Sequence, residues 1–228
     1  MRQLYLPMRI WDLPIRLFHW TIVVLILLSW LSAREDWMRI HVLSGLSVMT
    51  LLLFRFTWGF IGSDSARFSR FLKSPLEAFR HLLELHRREP DREVGHNAAG
   101  GWMVLVMLGV LLIQVITGLC ANDDVLTDGP LVPMLGKERS DYLTHIHHVN
   151  FTVLEILVAL HVLAIIAYRM LKGHNLLWPM ITGKKRLPGA TPAPRMMHPL
   201  LALIAFVVSV LMVVVFLVLT AYDPFTVG

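Results

Sequence analysis

Four histidines stand in stretches too apolar to hold them without a reason. His19 and His41 lie near the starts of two hydrophobic runs, and His147 and His161 lie in the run THIHHVNFTVLEILVALHVLAIIAYRML. Imidazole is the commonest metal-ligating side chain, and a polar group in hydrocarbon is costly enough that a functional role is the default reading. His147 and His161 are fourteen residues apart. On a helix that spacing closes to within about 40° of whole turns and climbs about 21 Å, so the two rings share one face at different depths. His148 and His145 lie about 140° and about 160° from His161 around the same helix. Neither shares its face as His147 does, and His148 is the nearer substitute.

Rings placed this way need membrane helices to carry them. Of the 228 residues 56% are hydrophobic, and the mean hydropathy is +0.62, outside the range of ordinary soluble domains. Five runs, roughly 16–33, 39–61, 96–120, 143–171 and 198–221, are long enough to cross a hydrocarbon core of about 30 Å. They are continuously apolar rather than alternating, which predicts an all-α integral membrane protein and not a barrel. The first run follows Arg2, Arg9 and Arg16 but reads as a retained span: no small-x-small site follows before SARED, and His19 belongs to the intramembrane set. A single cysteine, Cys120, excludes an internal disulfide and a cysteine-ligated iron–sulfur cluster.

The net charge of +5 is a topology signal rather than a nucleic-acid one. Arginine and lysine gather before the first span, in the loop 62–95 and after the fourth span, whereas the loop 121–142 carries Asp123, Asp124, Asp128, Glu138 and Asp141. By the positive-inside rule the N-terminus is cytoplasmic and five crossings leave the C-terminus periplasmic. The acidic loop is a candidate landing site for a basic periplasmic protein. SPLEAFRHLLELHRR reads as a short amphipathic helix on the inner surface, with His81 and His86 as solvated groups. Residues 1–182 form the expected functional bundle, 183–197 a basic Pro/Gly-rich linker, and 198–221 an appended anchor or docking helix whose composition suits a lipid-facing span.

Topology assigns depth, and depth assigns partners. His41 and His147 begin spans at the outer side, while His19 begins an inward-starting span and His161 lies about 21 Å deeper than His147. The pairs are therefore His41 with His147 and His19 with His161. Zinc or copper would need three or four ligands converging on one point. Two-ligand layers suit a planar cofactor that brings its own four nitrogens, which is six-coordinate haem iron between two axial imidazoles. Gly45, one turn after His41, leaves room for a porphyrin face or for close helix packing.

The motifs around these residues carry a resemblance. WDLPIRLFHW around His19, FRFTWGFIGSDSARFSRF after the second span, GHNAAGGWMVLVML opening the third, and LEILVALHVLAIIAYRMLKGHNLLWPMITGKK around His161 resemble the bacterial cytochrome b-561 family over about residues 8–186. That family includes the cytochrome b subunit of membrane-bound nickel–iron hydrogenases. The resemblance implies a four-helix bundle with two haem b groups, ligated by His19, His41, His147 and His161. It also implies electron transfer between the quinone pool and a redox partner in the bacterial inner membrane. The fifth span departs from the four-span pattern and leaves the partner open among a periplasmic c-type cytochrome, a hydrogenase or another oxidoreductase subunit. A stand-alone quinone reductase fed by a small reductant such as superoxide is the enzymatic alternative. The chain is compatible with a homo-oligomer, and a transporter is disfavoured by the absence of an inverted repeat.

Several further polar residues join the set. Arg16, one turn before His19, and Arg55, near the cytoplasmic end of the second span, are candidates to bind haem propionates, against snorkelling to the interface. His96 and Asn97 would contact a quinone headgroup or propionate, or cap the third helix. Gln114 and Thr117 are expected to bond across helices. Glu155, midway between the fourth-span ligands, is either a bonded neutral acid or part of a proton route to a quinone site.

Overall fold

The computed structural model describes residues 4–84, 93–125 and 127–226; His86 and the arginines at 2, 87, 88 and 92 lie outside them. Its elements run β1 (Tyr5–Arg9), α1 (Leu13–Arg34), α2 (Met38–Ile61), the single turn α3 (Phe68–Phe71), α4 (Pro75–Leu83), α5 (Ala98–Leu119), the turn α6 (Val132–Leu135), α7 (Lys137–Ala167) continued by a π-helical turn Tyr168–Lys172, α8 (Leu177–Thr182), β2 (Lys184–Pro188) and α9 (Pro199–Leu219). The fold is the expected all-α membrane bundle: α1, α2, α5, α7 with its π turn, and α9 are each long and apolar enough to cross a bilayer. The fourth of these starts at Lys137 rather than near 143. Hydropathy marks where hydrocarbon begins, whereas the helix extends through a polar first turn opened by Gly136, with Glu138 at its positive end.

The residues divide into two compact units. The first comprises Met1–Leu17, Phe56–Val106 and Leu157–Ala202. Its organiser is Asp12, 3% exposed, which does two things at once. Its Oδ1 accepts from the backbone N–H of Ile15 at 2.9 Å, capping α1, and its Oδ2 accepts from Nε1 of the fully buried Trp58 at 2.9 Å. Two glycines let the following loop close down: a Cβ on Gly59 would lie 2.0 Å from the Phe68 ring, and one on Gly101 2.7 Å from the Phe71 carbonyl oxygen. The basic segment after α8 is tied down rather than free. β2 pairs antiparallel with β1 from Tyr5↔Pro188 to Arg9↔Lys184, and further on the N–H of Arg195 donates to Asp64 Oδ2 and that of Met197 to Ser63 Oγ, both at 3.0 Å. Five-residue pairing between two short segments, YLPMR and KKRLP, leaves no hydropathy signature, so neither strand was expected.

The amphipathic helix forms as α4 over Pro75–Leu83, with Ser74 accepting from the Glu77 N–H at 3.2 Å and Pro75 in its first turn. His81 on it is not the solvated group the sequence suggested. It is half-buried, its ring stacks on Tyr168 at 6.0 Å and 18°, and burial, reinforced by the nearby Lys172 charge, lowers its pKa.

The second unit comprises Phe18–Arg55, Met107–Ile156 and Leu203–Gly228. Here parts of α1, α2, α5 and α7 surround a cavity, and α9 is not lipid-facing on all sides. Ala205, Ser209 and Val213, four residues apart, are buried, and Phe206 meets Phe54 of α2 edge-on at 6.2 Å. Small residues such as Ala205 and Ser209 at that spacing allow close helix approach in lipid, where hydrophobicity gives no drive. Replacing Asp12 with alanine should cost about 2–4 kcal/mol, the sum of a lost cap and an orphaned buried Trp58 N–H, read as a lower denaturation midpoint in detergent. Asp12→Asn, which keeps an acceptor oxygen, should cost less.

Candidate functional site

The cavity of the second unit has a volume of about 580 Å³. Its body is lined by apolar side chains such as Leu46, Leu111, Val115 and Leu154, and its polar mouth by Arg34, Asn122, Thr127 and Thr144. His41 of α2 and His147 of α7 both border it, with ring centres 6.2 Å apart and planes at 84°. At that separation one metal atom can bond both rings at about 2 Å from a nitrogen of each.

Each ring is oriented through its Nδ1 by a carbonyl of a neighbouring helix. His41 Nδ1 donates to the Ser29 carbonyl of α1 at 2.9 Å, and His147 Nδ1 donates to the Gln114 carbonyl of α5 at 3.0 Å. A metal-bound histidine characteristically gives its second nitrogen to such a carbonyl, which fixes the tautomer and leaves Nε2 as the lone-pair donor. His147 is held further by Thr117 Oγ1, 3.2 Å from Nδ1, and Gln114 Nε2, 3.1 Å from its Nε2. Asn150 in turn donates to Gln114 Oε1 at 2.7 Å and to the Val110 carbonyl at 3.0 Å. Gln114 and Thr117 thus bond across helices as expected, and their target is a candidate ligand. Ligation at His147 Nε2 exchanges the Gln114 amide contact for a metal bond.

Two glycines shape the space. A Cβ on Gly118 would lie 2.9 Å from His147 Cε1, so only glycine admits the ring there. A Cβ on Gly45 would meet nothing within 4 Å, and Gly45 lines the cavity; it is a gap beside His41, not a close helix contact. An apolar slot with a polar rim, two facing imidazoles and open space one turn from a ligand candidate fits an amphiphilic planar cofactor such as haem.

The other candidates are distributed as follows. His148 also borders this cavity, with its ring 6.2 Å from that of His147, whereas His145 does not. Glu155 lines it as well. His19 belongs to the second unit and meets Trp20 edge-on at 4.9 Å. Arg55, in the same unit, is 3% exposed, which excludes simple snorkelling to water. In the first unit lie His161 and Arg16; Arg16 Nη2 donates to the Ile181 carbonyl at the end of α8. Asn97 caps α5 through Gly100 N–H at 2.7 Å, and His96 packs between Trp11 at 4.7 Å and Phe71 at 4.8 Å. Sequence reasoning missed Ser29, Asn150 and Gly118. The signal for the first two was available: each is a hydrogen-bonding side chain or carbonyl that hydrocarbon forces toward a partner.

No curated protein and no solved structure matches the chain. The family model of prokaryotic cytochrome b561, however, matches residues 10–183, a stretch that carries all four candidate histidines and the motifs organised by Asp12 and Trp58. The chain therefore belongs to the prokaryotic cytochrome b561 family, as a multi-pass membrane b-type cytochrome of electron transfer that binds haem b.

Proposed function

We propose that this chain carries two haem b groups and transfers electrons across the bacterial inner membrane between the quinone pool and a periplasmic redox partner of the c-type cytochrome kind, as part of a respiratory chain. The observation that carries the proposal is the pair His41 and His147, bordering one cavity with ring centres 6.2 Å apart and both Nδ1 atoms tied to backbone carbonyls. His41 and His147 hold the haem nearer the periplasm, and His19 and His161 the one nearer the cytoplasm. The N-terminus is cytoplasmic and the C-terminus periplasmic, with loop charge as the support.

Haem between two imidazoles supplies a one-electron couple with no open coordination position, which favours outer-sphere transfer over oxygen chemistry. The residues of the chain do the rest. Ser29 and Gln114 hold the tautomers and ring directions of the ligands. The leucines and valines of the cavity wall exclude water, and Arg34 at the mouth offers a cation to carboxylates. Arg16 and Arg55 are assigned to the carboxylates of the cytoplasmic-side haem, a bidentate match for guanidinium. Glu155, which lines the His41 cavity, serves as proton carrier for quinol oxidation.

Haem quantified on the purified protein should give two per chain with a b-type reduced-minus-oxidised spectrum; a value near one or zero overturns the two-haem reading. His147→Ala should lower the content to one, while His148→Ala should leave two; the reverse result transfers the ligand role to His148. Glu155→Gln is expected to keep haem content and to slow quinol oxidation by about 10²-fold, the scale of a lost acid–base group. An unchanged rate removes Glu155 from the proton route.

A further inference from the structure

The turn that ends the helix following the family-matched region lines the histidine cavity through Tyr222. α9 ends in a tight turn in which the N–H of Ala221 donates to the Val218 carbonyl at 3.1 Å and that of Tyr222 to the Leu217 carbonyl at 3.0 Å. This double bond pattern is a Schellman ending, whose penultimate position normally takes glycine. Here Ala221 occupies it at φ +50°, a left-handed conformation that costs a residue with a Cβ roughly 1 kcal/mol. The strain has a visible product: it turns the next residue, Tyr222, onto the cavity bordered by His41 and His147.

Tyr222 arrives with its hydrogen-bonding group unused. The hydroxyl is buried and has no hydrogen-bond partner among the described residues, although a buried tyrosine normally finds one and an orphaned donor costs about 1–3 kcal/mol. Burial, with the negative charge of Asp128 nearby, raises its pKa, so at neutral pH it is a donor. The same end of the cavity presents Arg34, held over the Trp30 ring at 5.2 Å. A donor and a cation at the polar mouth of an apolar slot suit a ligand that is planar, apolar and carboxylated at one edge.

We propose that the fifth helix belongs to the cofactor site: it delivers Tyr222, whose hydroxyl donates a hydrogen bond to a carboxylate of the haem seated against His41, and whose ring shuts the cavity mouth to water. This rests on the reading of that cavity as a haem site. Tyr222 is a positioning residue, and its effect is on the reduction potential. A donor dipole on the carboxylate offsets its negative charge and so stabilises the added electron, and a closed mouth disfavours the positive charge of the oxidised iron–porphyrin core.

The test is potentiometric titration of purified full-length protein as wild type, Tyr222→Phe, Tyr222→Ala and Phe225→Leu, with haem counted per chain in each. Phe225, 67% exposed three residues on, is the control. Tyr222→Phe should lower one midpoint by about three- to tenfold in the reduction equilibrium constant, tenfold being about 59 mV for one electron. Tyr222→Ala should lower the same midpoint further, and Phe225→Leu neither. Loss of one haem from Tyr222→Phe, with the control intact, also supports the assignment. Two haems in every variant with both midpoints at wild-type values overturns it, whereas a wild type that binds no haem fails the cavity reading itself.

Discussion

An imidazole in hydrocarbon has no water to satisfy it, and at the His41 and His147 cavity the partner is in each case a carbonyl that already serves a helix. Carbonyl oxygens have two lone pairs. Ser29 and Gln114 can therefore receive a ring N–H at 2.9 and 3.0 Å without surrendering their place in the ladder. The arrangement divides labour among four helices. α2 and α7 carry the rings, while α1 and α5 carry none facing the pair and act as the clamps that aim them. Gln114 goes further, using its side chain as well as its carbonyl on His147 and being fixed by Asn150. A pair of imidazoles on two helices thus depends on two others that carry none there, which makes the site one of four helices rather than two.

The glycines of the site answer opposite demands. Gly118 is small because a ring must come close, and Gly45 because nothing may. In the first unit the same residue type serves packing, at Gly59 and Gly101, where loop aromatics and a carbonyl press against helices. One amino acid therefore has three uses in a single chain, and only the neighbouring atoms distinguish them.

That distinction marks what could be read from the sequence. The five spans and the shared face of His147 and His161 follow from hydropathy and helical arithmetic, and the depth match of His41 to His147 from loop charge, because these are one-dimensional quantities. The fine structure of the site is not. Whether Gly45 is a gap or a contact depends on a neighbour dozens of residues away. The dual role of Asp12 requires Trp58, which no local pattern connects to it. His81 read as surface because its own helix is amphipathic, yet Tyr168 from a distant segment covers it. The β1–β2 pairing joins residues more than 170 positions apart through backbone groups, which side-chain patterns do not report.

α9 shows how much one exposed-looking helix can hide. Its composition, nearly all valine, leucine, isoleucine, phenylalanine and alanine, carries no polar code and does not separate a lipid anchor from a docking helix. Yet Ala205, Ser209 and Val213 are buried in a stripe, with Ser209 1% exposed and bonded back to the Ala205 carbonyl at 2.9 Å. A helix meant only to sit in lipid has no need of a small-residue stripe, because lipid and leucine are equivalent company. The stripe sets the azimuth of α9, and the azimuth sets where the strained turn at Ala221 aims Tyr222. Packing in the membrane, and not hydropathy, is what connects this added helix to the histidine cavity.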